Sequence, residues 1–444
     1  MSVPLDRLYN YIENIATEIT DNVIIYRFFP HGSKKVTDLT FYKDYTWQQA
    51  ASCPEIICND QEPLNYLLYE NLPENSWFSN ITKAHGIEYN EYNNFRLLRN
   101  IYDKAILLHS EKRSTNLEQY KNAEFIPAYY WSHAIIALDW FRYAKHAKFK
   151  TQTQKTFLIY NRAWGGTREY RLRFAEFLIF LDLQNHCKTS INPIEPELGI
   201  HYEIHKFKNL AWRPSAVLEN FFPISNAHSH YSADFNIEDY EATDIEVVLE
   251  TLFDDSRLHL TEKSLRPIAC GQPFILAGTH GSLEYLRGYG FKTFGDVWDE
   301  QYDLIENPEE RLIKITNLMQ QIANWAPEVR ESKMAKAQAI AEYNRQHFFS
   351  KEFYTHITEE LHANLKLALI ELENTNTSQQ YINRRKQFSK IDYLKEIITG
   401  NKSTVDTGSC VVQTQRTRKT VAMVVARARQ YYLQSLGLKN NIIL

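Results

Sequence analysis

Short runs of consecutive apolar residues recur through the first third of the chain, each followed by polar or helix-forming sequence. NVIIYRF (22–28), PEIICND (54–60), KAILLHS (104–110) and AEFIPAY (123–129) have the length and composition of strands buried on both faces. After the fourth run comes WSHAIIALDWFRYAKHA, whose apolar spacing predicts a helix. This alternation predicts an α/β domain with a mostly parallel sheet over residues 1–150. A polar, lysine-rich connection, KHAKFKTQTQK (145–155), leads into a second series over 151–330. There, TFLIYNRAWGGTREYRLRFAEFLIFLDL (156–183), DIEVVLET (244–251), CGQPFILAG (270–278) and ERLIKITNLMQQIANWA (310–326) read as strand, helix, strand, strand, helix. From about residue 328 to 373 the pattern is helical without strands, and residues 331–375 are expected to pack back on the core. The polar segment NTNTSQQ (374–380) introduces a separate C-terminal module, residues 376–444. No internal repeat is present.

Composition sharpens this picture in three places. With 444 residues, 44% hydrophobic, the chain has enough apolar surface for more than one core. The five cysteines are scattered and form no CxxC pair, so neither a disulfide framework nor a cysteine-ligated zinc is expected. The N-terminus carries acids where a signal peptide is basic and then apolar, and no stretch has the ~18–20 apolar residues of a membrane span. A cytoplasmic protein without membrane contact is expected. Charge is distributed unevenly. From residue 376 onward twelve basic residues face three acids, so the tail carries +9 and residues 1–375 carry −13 of the net −4.

The most informative chemistry lies in residues 245–294. A strand ends at Glu250-Thr251, a loop follows, and Thr261 is placed to cap a helix that starts at Glu262 and runs toward Gly271. Pro267 keeps that helix short or kinked. A glutamate and a lysine at a helix start outside strand ends suit a nucleotide. The carboxylate accepts from ribose hydroxyls, and the ammonium with the helix N-terminus holds diphosphate charge. The plainer alternative is that Glu262 and Lys263 only cap the helix.

Leu249-Glu250-Thr251, Leu260-Thr261-Glu262-Lys263 and Cys270-Gly271-Gln272-Pro273 together resemble the donor motif of the α-1,3-fucosyltransferases. They also resemble the related glycosyltransferase-like proteins of tailed bacteriophages, whose type continues as PFILAGTHGSLEYLRGYGFKTF does here. The resemblance implies an α/β architecture of GT-B type, two Rossmann-like domains facing across a cleft. It places Glu262 and Lys263 at the nucleotide, with Glu250, Thr261 and Gly271 in the same donor-binding motif. Thr251 stands where the family has asparagine and Leu260 where it has an aromatic residue, so fucose itself is not implied. The match covers about fifty residues.

A second donor feature opens the 151–330 domain. Arg162 follows its first strand and Arg168 lies just beyond Gly165-Gly166, a combination suited to clamping a diphosphate through guanidinium forks and close backbone approach. A solvated, salt-bridged helix face is the alternative. No metal is expected, Asp254-Asp255 being only superficially like a metal-binding acidic pair, and no cofactor is required beyond the nucleotide-sugar co-substrate.

Transfer to a hydroxyl needs a base to take its proton. Asp60 and Glu62 leave the C-terminal end of an apolar strand, where open α/β sheets place ligands, and His31 lies in the turn after the first strand. His109-Ser110-Glu111 and Ser132-His133 also follow strands and suit sugar or phosphate contacts. In the tail, Arg384, Arg385, Lys386, Arg416, Arg418, Lys419, Arg427 and Arg429 are interleaved with Phe and Tyr, a pattern suited to nucleic acid or to an oligomerisation helix. Joined to the donor motif, this points to double-stranded DNA carrying a hydroxymethylated pyrimidine as acceptor. A glycan or virion-protein acceptor is the alternative within the same chemistry, and a non-catalytic sugar- or nucleotide-binding module is the alternative outside it.

Overall fold

A computed structural model describes residues 6–18, 23–27, 55–59, 105–114, 117, 121, 125–149, 153–195, 199–215, 218, 227, 235–254 and 257–376. The chain divides into two compact units. One contains the described parts of Ser2–Leu108, Glu118–Ala128 and Asn364–Leu444; the other contains His109–Leu117 and Tyr129–Ala363.

The first unit holds α1 (Asp6–Thr17) and most of a four-stranded sheet in the order β1 (Val23–Arg27), β2 (Glu55–Asn59), β3 (Ala105–His109), β4 (Phe125–Tyr129). β1 pairs with β2 and β2 with β3 in parallel. Helix α1 packs against β1 and buries Ile12, Ile15 and Ala16, positions spaced three and four apart on one helical face. Every strand lies within the apolar run that predicts it.

The second unit is built around β5 (Lys155–Ile159), β6 (Cys187–Thr189), β9 (Thr243–Leu249) and β10 (Phe274–Ala277), in the sheet order β10-β9-β5-β6 with all neighbours parallel. Its other elements are α2 (Ser132–Trp140), α3 (Tyr170–Phe180), the two-residue pair β7 (Ile194–Glu195) and β8 (Ile200–His201), α4 (Ile237–Glu241), α5 (Glu262–Cys270), α6 (Ser282–Gly288), α7 (Pro308–Ala323), α8 (Pro327–Phe348) and the start of α9 (Lys351–Asn376). Strand β10 is buried at every position and β5 at all but its first, as expected of a parallel sheet covered on both faces. Each buried Ile or Leu here contributes about 1.5–3 kcal/mol. Helix α7 starts where Asn307 accepts from the backbone N–H groups of Glu309 and Glu310, with Pro308 at the first helical position. It packs on α3 and β10.

Two features differ from the sequence expectation. Strand β6 has only three residues, Cys-Lys-Thr, so it carries no apolar run that would reveal it. Residues 129–149, which the sequence places in the N-terminal domain, join the second unit: Trp131, Ala134, Ala137, Phe141 and Ala144 share one core with Phe157, Ile245, Leu265 and Ile275. Helix α2 packs directly on α5. One buried charge network accompanies this core. Arg266 of α5 reaches Glu246 of β9 at 2.5 Å, Tyr240 donates to the same carboxylate, and the guanidinium lies 4.5 Å over the Tyr160 ring.

Candidate functional site

The order β10-β9-β5-β6 contains a reversal. From β5 the chain adds β6 on one side, then returns to add β9 and β10 on the other. The topological switch point therefore lies between β5 and β9, and a crevice outside the C-terminal ends of those two strands is where open α/β sheets take ligands. The residues at this edge are the turn after β5, from Asn161 to Arg168, and the segment from Glu250 to the start of α5.

Arg171 ties these two segments together. Its guanidinium, fully buried, donates to Asn161 Oδ1 and the Ala163 carbonyl on one side, and to the Leu249 and Glu250 carbonyls on the other, at 2.6–3.0 Å. Glu195 braces the same turn by accepting from the backbone N–H groups of Trp164 and Gly165 at 2.5 and 2.7 Å. Gly166 adopts a left-handed φ of 70°, a conformation that favours glycine. Arg162 is exposed at the end of β5; Arg168 is half-buried, its Nε donating to the Gly165 carbonyl at 3.1 Å.

On the other side of the switch point the helix start is held from beneath. The Glu250 carboxylate is fully buried. Its Oε1 accepts from Thr261 N (3.1 Å), Ser264 N (3.3 Å) and Ser264 Oγ, and its Oε2 from Thr261 Oγ1 (2.6 Å) and Thr251 N (3.0 Å). Through these bonds Glu250 positions the helix start. Thr261 Oγ1 caps α5 by accepting from Lys263 N. Gly271 stands apart from these residues. It ends α5 with φ 69°, Gln272 N donating to the Pro267 carbonyl and Gly271 N to that of Ile268, a Schellman arrangement. At the far end of a nine-residue helix it is about 13 Å from Glu262. An added Cβ there would come within 3.0 Å of Arg345.

Glu262 and Lys263 open α5, Glu262 buried and Lys263 half-buried. Lys263 Nζ lies 2.8 Å from Glu262 Oε1, and His133 Nε2 of α2 lies 3.5 Å from Oε2. Burial pushes the Glu262 carboxyl upward, but the neighbouring Lys263 and His133 more than offset it and hold the group at about 2. His133 belongs to a chain of polar contacts. Its Nδ1 meets Ser132 Oγ at 3.3 Å, Ser132 Oγ meets Ser110 Oγ at 2.6 Å, and Ser110 Oγ donates to the Tyr130 carbonyl at 2.8 Å. The His133 and His259 rings meet edge to face at 4.8 Å, and His259 Nδ1 lies 3.1 Å from the Ser110 carbonyl. Beside them Glu111 is buried and pairs with Arg257 at 3.2 Å. The structure thus gathers His109-Ser110-Glu111 and Ser132-His133, separate segments in the sequence, around the Glu262-Lys263 helix start.

This cluster predicts a pH dependence. Burial, and then the neighbouring His259, push His109 from its ordinary value of 6.5 down to about 4; burial pushes His259 down as well. The unfolded chain therefore takes up a proton below pH 6.5 that folded His109 refuses. Stability is full above 6.5 and falls as pH drops toward 4, by at most about 3 kcal/mol from His109. Glu262 has the opposite chemistry and the same direction: its contribution is present above the ordinary 4.5 and is lost as pH falls toward 2. Urea midpoints at pH 7, 5.5 and 4.5 should decline in that order, and His109→Gln should flatten the decline between 7 and 4.5. An equal decline in the variant removes His109 as its source.

Sequence reasoning missed a second group on the same unit. Tyr129, Tyr285 and Tyr289 join hydroxyls at 2.5 and 3.0 Å, Tyr289 donates to Glu360 at 2.6 Å, and the Lys112 ammonium lies 4.7–5.8 Å over the three rings. Tyr285 and Tyr289 lie within the stretch PFILAGTHGSLEYLRGYGFKTF, but Lys112, Tyr129 and Glu360 come from distant parts of the chain, so no local signal joins the five. Asp60, Glu62 and His31, and the tail residues Arg384, Arg385, Lys386, Arg416, Arg418, Lys419, Arg427 and Arg429, lie outside the described residues. Among the described residues, no group of three or more His, Cys, Asp or Glu is placed to hold a metal ion, and no helix is long and apolar enough to cross a membrane. No family model matches the chain, and no curated protein or solved structure is significantly similar to it.

Proposed function

We propose that the chain is a glycosyltransferase that moves a sugar from a nucleotide-sugar donor to a hydroxyl acceptor, with the donor held at the C-terminal edge of the second sheet. The observation that carries this reading is the switch point between β5 and β9, flanked by the arginine-bearing turn on one side and the Glu262-Lys263 helix start on the other. A nucleoside diphosphate needs an acceptor for its ribose hydroxyls and cations for its phosphates. Glu262, kept ionised against burial, supplies the first; Lys263, Arg162 and Arg168 supply the second. The motif resemblance at residues 249–251, 260–263 and 270–273 supports the same assignment and extends it to a GT-B arrangement.

In the reaction the bond from the sugar's anomeric carbon to the diphosphate oxygen breaks, and a bond from the acceptor oxygen to that carbon forms. The acceptor proton passes to a base, for which Asp60, Glu62 and His31 are the proposed groups, and the diphosphate leaves with its charge held by Lys263 and the arginines. The +9 tail supports a nucleic-acid acceptor, and a hydroxymethylated pyrimidine in duplex DNA offers a hydroxyl exposed in the major groove.

The test is incubation with a panel of nucleotide sugars and DNA with or without hydroxymethylcytosine, read by mass spectrometry of the digested nucleosides. A sugar-sized mass gain on the modified base is expected. Release of nucleoside diphosphate without DNA modification would keep the transferase and reject the DNA acceptor; no turnover of any donor would reject the transferase.

A further inference from the structure

The hydrogen-bond chain beside Glu262 fixes the charge of His133, a side chain that the proposed function leaves without a role. Ser110 Oγ donates its single proton to the Tyr130 carbonyl at 2.8 Å, since a carbonyl can only accept. In the 2.6 Å contact between the two serines, Ser132 Oγ is therefore the donor. With its own proton used there, Ser132 Oγ meets His133 Nδ1, 3.3 Å away, as an acceptor, so Nδ1 carries a hydrogen. On the other side of the ring, Nε2 lies 3.5 Å from Oε2 of Glu262, an ionised carboxylate with no proton to give. Both ring nitrogens thus face acceptors, and only the imidazolium has a hydrogen for each.

The neighbouring histidines are in the opposite state. His109 Nδ1 accepts from Glu111 N at 3.3 Å and carries no hydrogen, so that ring is neutral. His259 Nδ1 donates to the Ser110 carbonyl at 3.1 Å, and burial disfavours a second proton on its ring. Charge balance agrees. Glu111 is answered by Arg257 at 3.2 Å. At the helix start one cation, Lys263, stands against two buried carboxylates. Its Nζ lies 2.8 Å from Glu262 Oε1 and 3.4 Å from Thr261 Oγ1, which in turn donates to Glu250. Among the described residues a neutral His133 would leave one negative charge unanswered there, and an imidazolium cancels it. Burial and the positive end of α2 oppose a charge on His133, and the ionised carboxylate beside it offsets them.

We propose that His133 is a positioning residue for Glu262: held as the imidazolium by Ser132 and Ser110, it fixes carboxylate oxygen Oε2 as Lys263 fixes Oε1. The carboxylate then meets a ribose diol in one orientation. That last step rests on the proposed function, whereas the imidazolium does not. The charged groups around the ring are Glu250, Glu262 and Lys263 on one side and Glu111 and Arg257 on the other, with His109 and His259 neutral. Deprotonation of His133 frees Oε2 and leaves a negative charge beside an anionic ligand, so nucleotide affinity falls as pH rises through its titration.

Two measurements on the full chain test this. The first needs no ligand: nitrogen NMR of labelled histidine, with His133→Gln identifying the resonances. Both ring nitrogens of His133 should be protonated at pH 7. Glu262→Gln, its folding checked by the thermal transition, should return the ring to a neutral tautomer. A neutral His133 in the wild-type chain overturns the proposal. The second is calorimetric titration with UDP and with GDP from pH 6 to pH 10. His133→Gln is expected to bind about tenfold more weakly at pH 6, the loss of one charge-assisted contact, and to converge with wild type as pH rises. A constant ratio across the range makes His133 a packing residue and overturns its positioning role. If neither nucleotide binds a wild-type chain whose His133 is doubly protonated, the donor reading is rejected and the imidazolium stands, so the two fail separately.

Discussion

Glu250→Ala is expected to lower the unfolding free energy by about 3–5 kcal/mol, the largest stability effect at this edge of the sheet. The carboxylate lies fully buried beneath the start of α5 and accepts from the backbone N–H groups of Thr251, Thr261 and Ser264 and from the hydroxyls of Thr261 and Ser264. Alanine leaves these donors without an acceptor in a space closed to water, and each unsatisfied buried donor costs about 1–3 kcal/mol. The two hydroxyls can turn to other acceptors, so the sum falls short of five separate penalties. Glu250→Gln retains one acceptor oxygen but aims an amide N–H₂ at N–H donors, so it should recover only part of the loss. Urea denaturation of the three proteins measures this directly. A loss below about 1 kcal/mol in the alanine variant would mean that the helix start is held by Thr261 capping alone.

On the proposed function, Lys263→Ala is expected to reduce kcat/KM for nucleotide-sugar turnover by about 100-fold, equivalent to about 3 kcal/mol of transition-state stabilisation. The ammonium is the cation carried by the helix start itself, 2.8 Å from Glu262, and a departing diphosphate gains charge as its bond to the sugar breaks. Because that charge grows in the transition state, kcat should fall more than KM rises. Lys263→Arg keeps the charge and should retain part of the activity. The same change has a second readout. Lys263 is the leading group that offsets burial at Glu262, so its removal should raise the Glu262 carboxyl from about 2. Loss of Lys263 with no effect on nucleoside diphosphate affinity or turnover would return Glu262 and Lys263 to a purely capping role.

Much of the local structure is legible in the chain itself. The four apolar runs of the first third each contain a strand, and the boundaries of α5 follow from Thr261 at its start, Pro267 within it and Gly271 at its end. Such features depend on neighbours within a few residues, where side-chain type dictates backbone preference directly. Strand β6 shows the limit: a three-residue edge strand draws its place from pairing with β5 and not from its own composition. The candidate site was legible as a motif but not in its contacts. Glu250, Thr261 and Gly271 belong to the motif alongside Glu262 and Lys263; the first two brace and cap the start of α5, Gly271 ends it, and Lys263 pairs with Glu262. A motif records that residues occur together; it does not record which way each side chain turns.

By itself, then, the sequence determined the strands that lie in apolar runs, the caps of α5, the alternation that makes parallel sheets, and the presence of a glutamate-lysine pair at a helix start. The tertiary structure alone decided the strand order that puts a switch point between β5 and β9, the gathering of His109, Ser110, His133 and His259 around Glu262, and the reach of Arg113 to the His280 carbonyl. The physical reason is range. Capping, periodicity and turn chemistry act over a few residues of chain. Contacts between residues such as 113 and 280, or 133 and 262, arise only when core packing brings distant segments together, and no local pattern encodes which partners will meet.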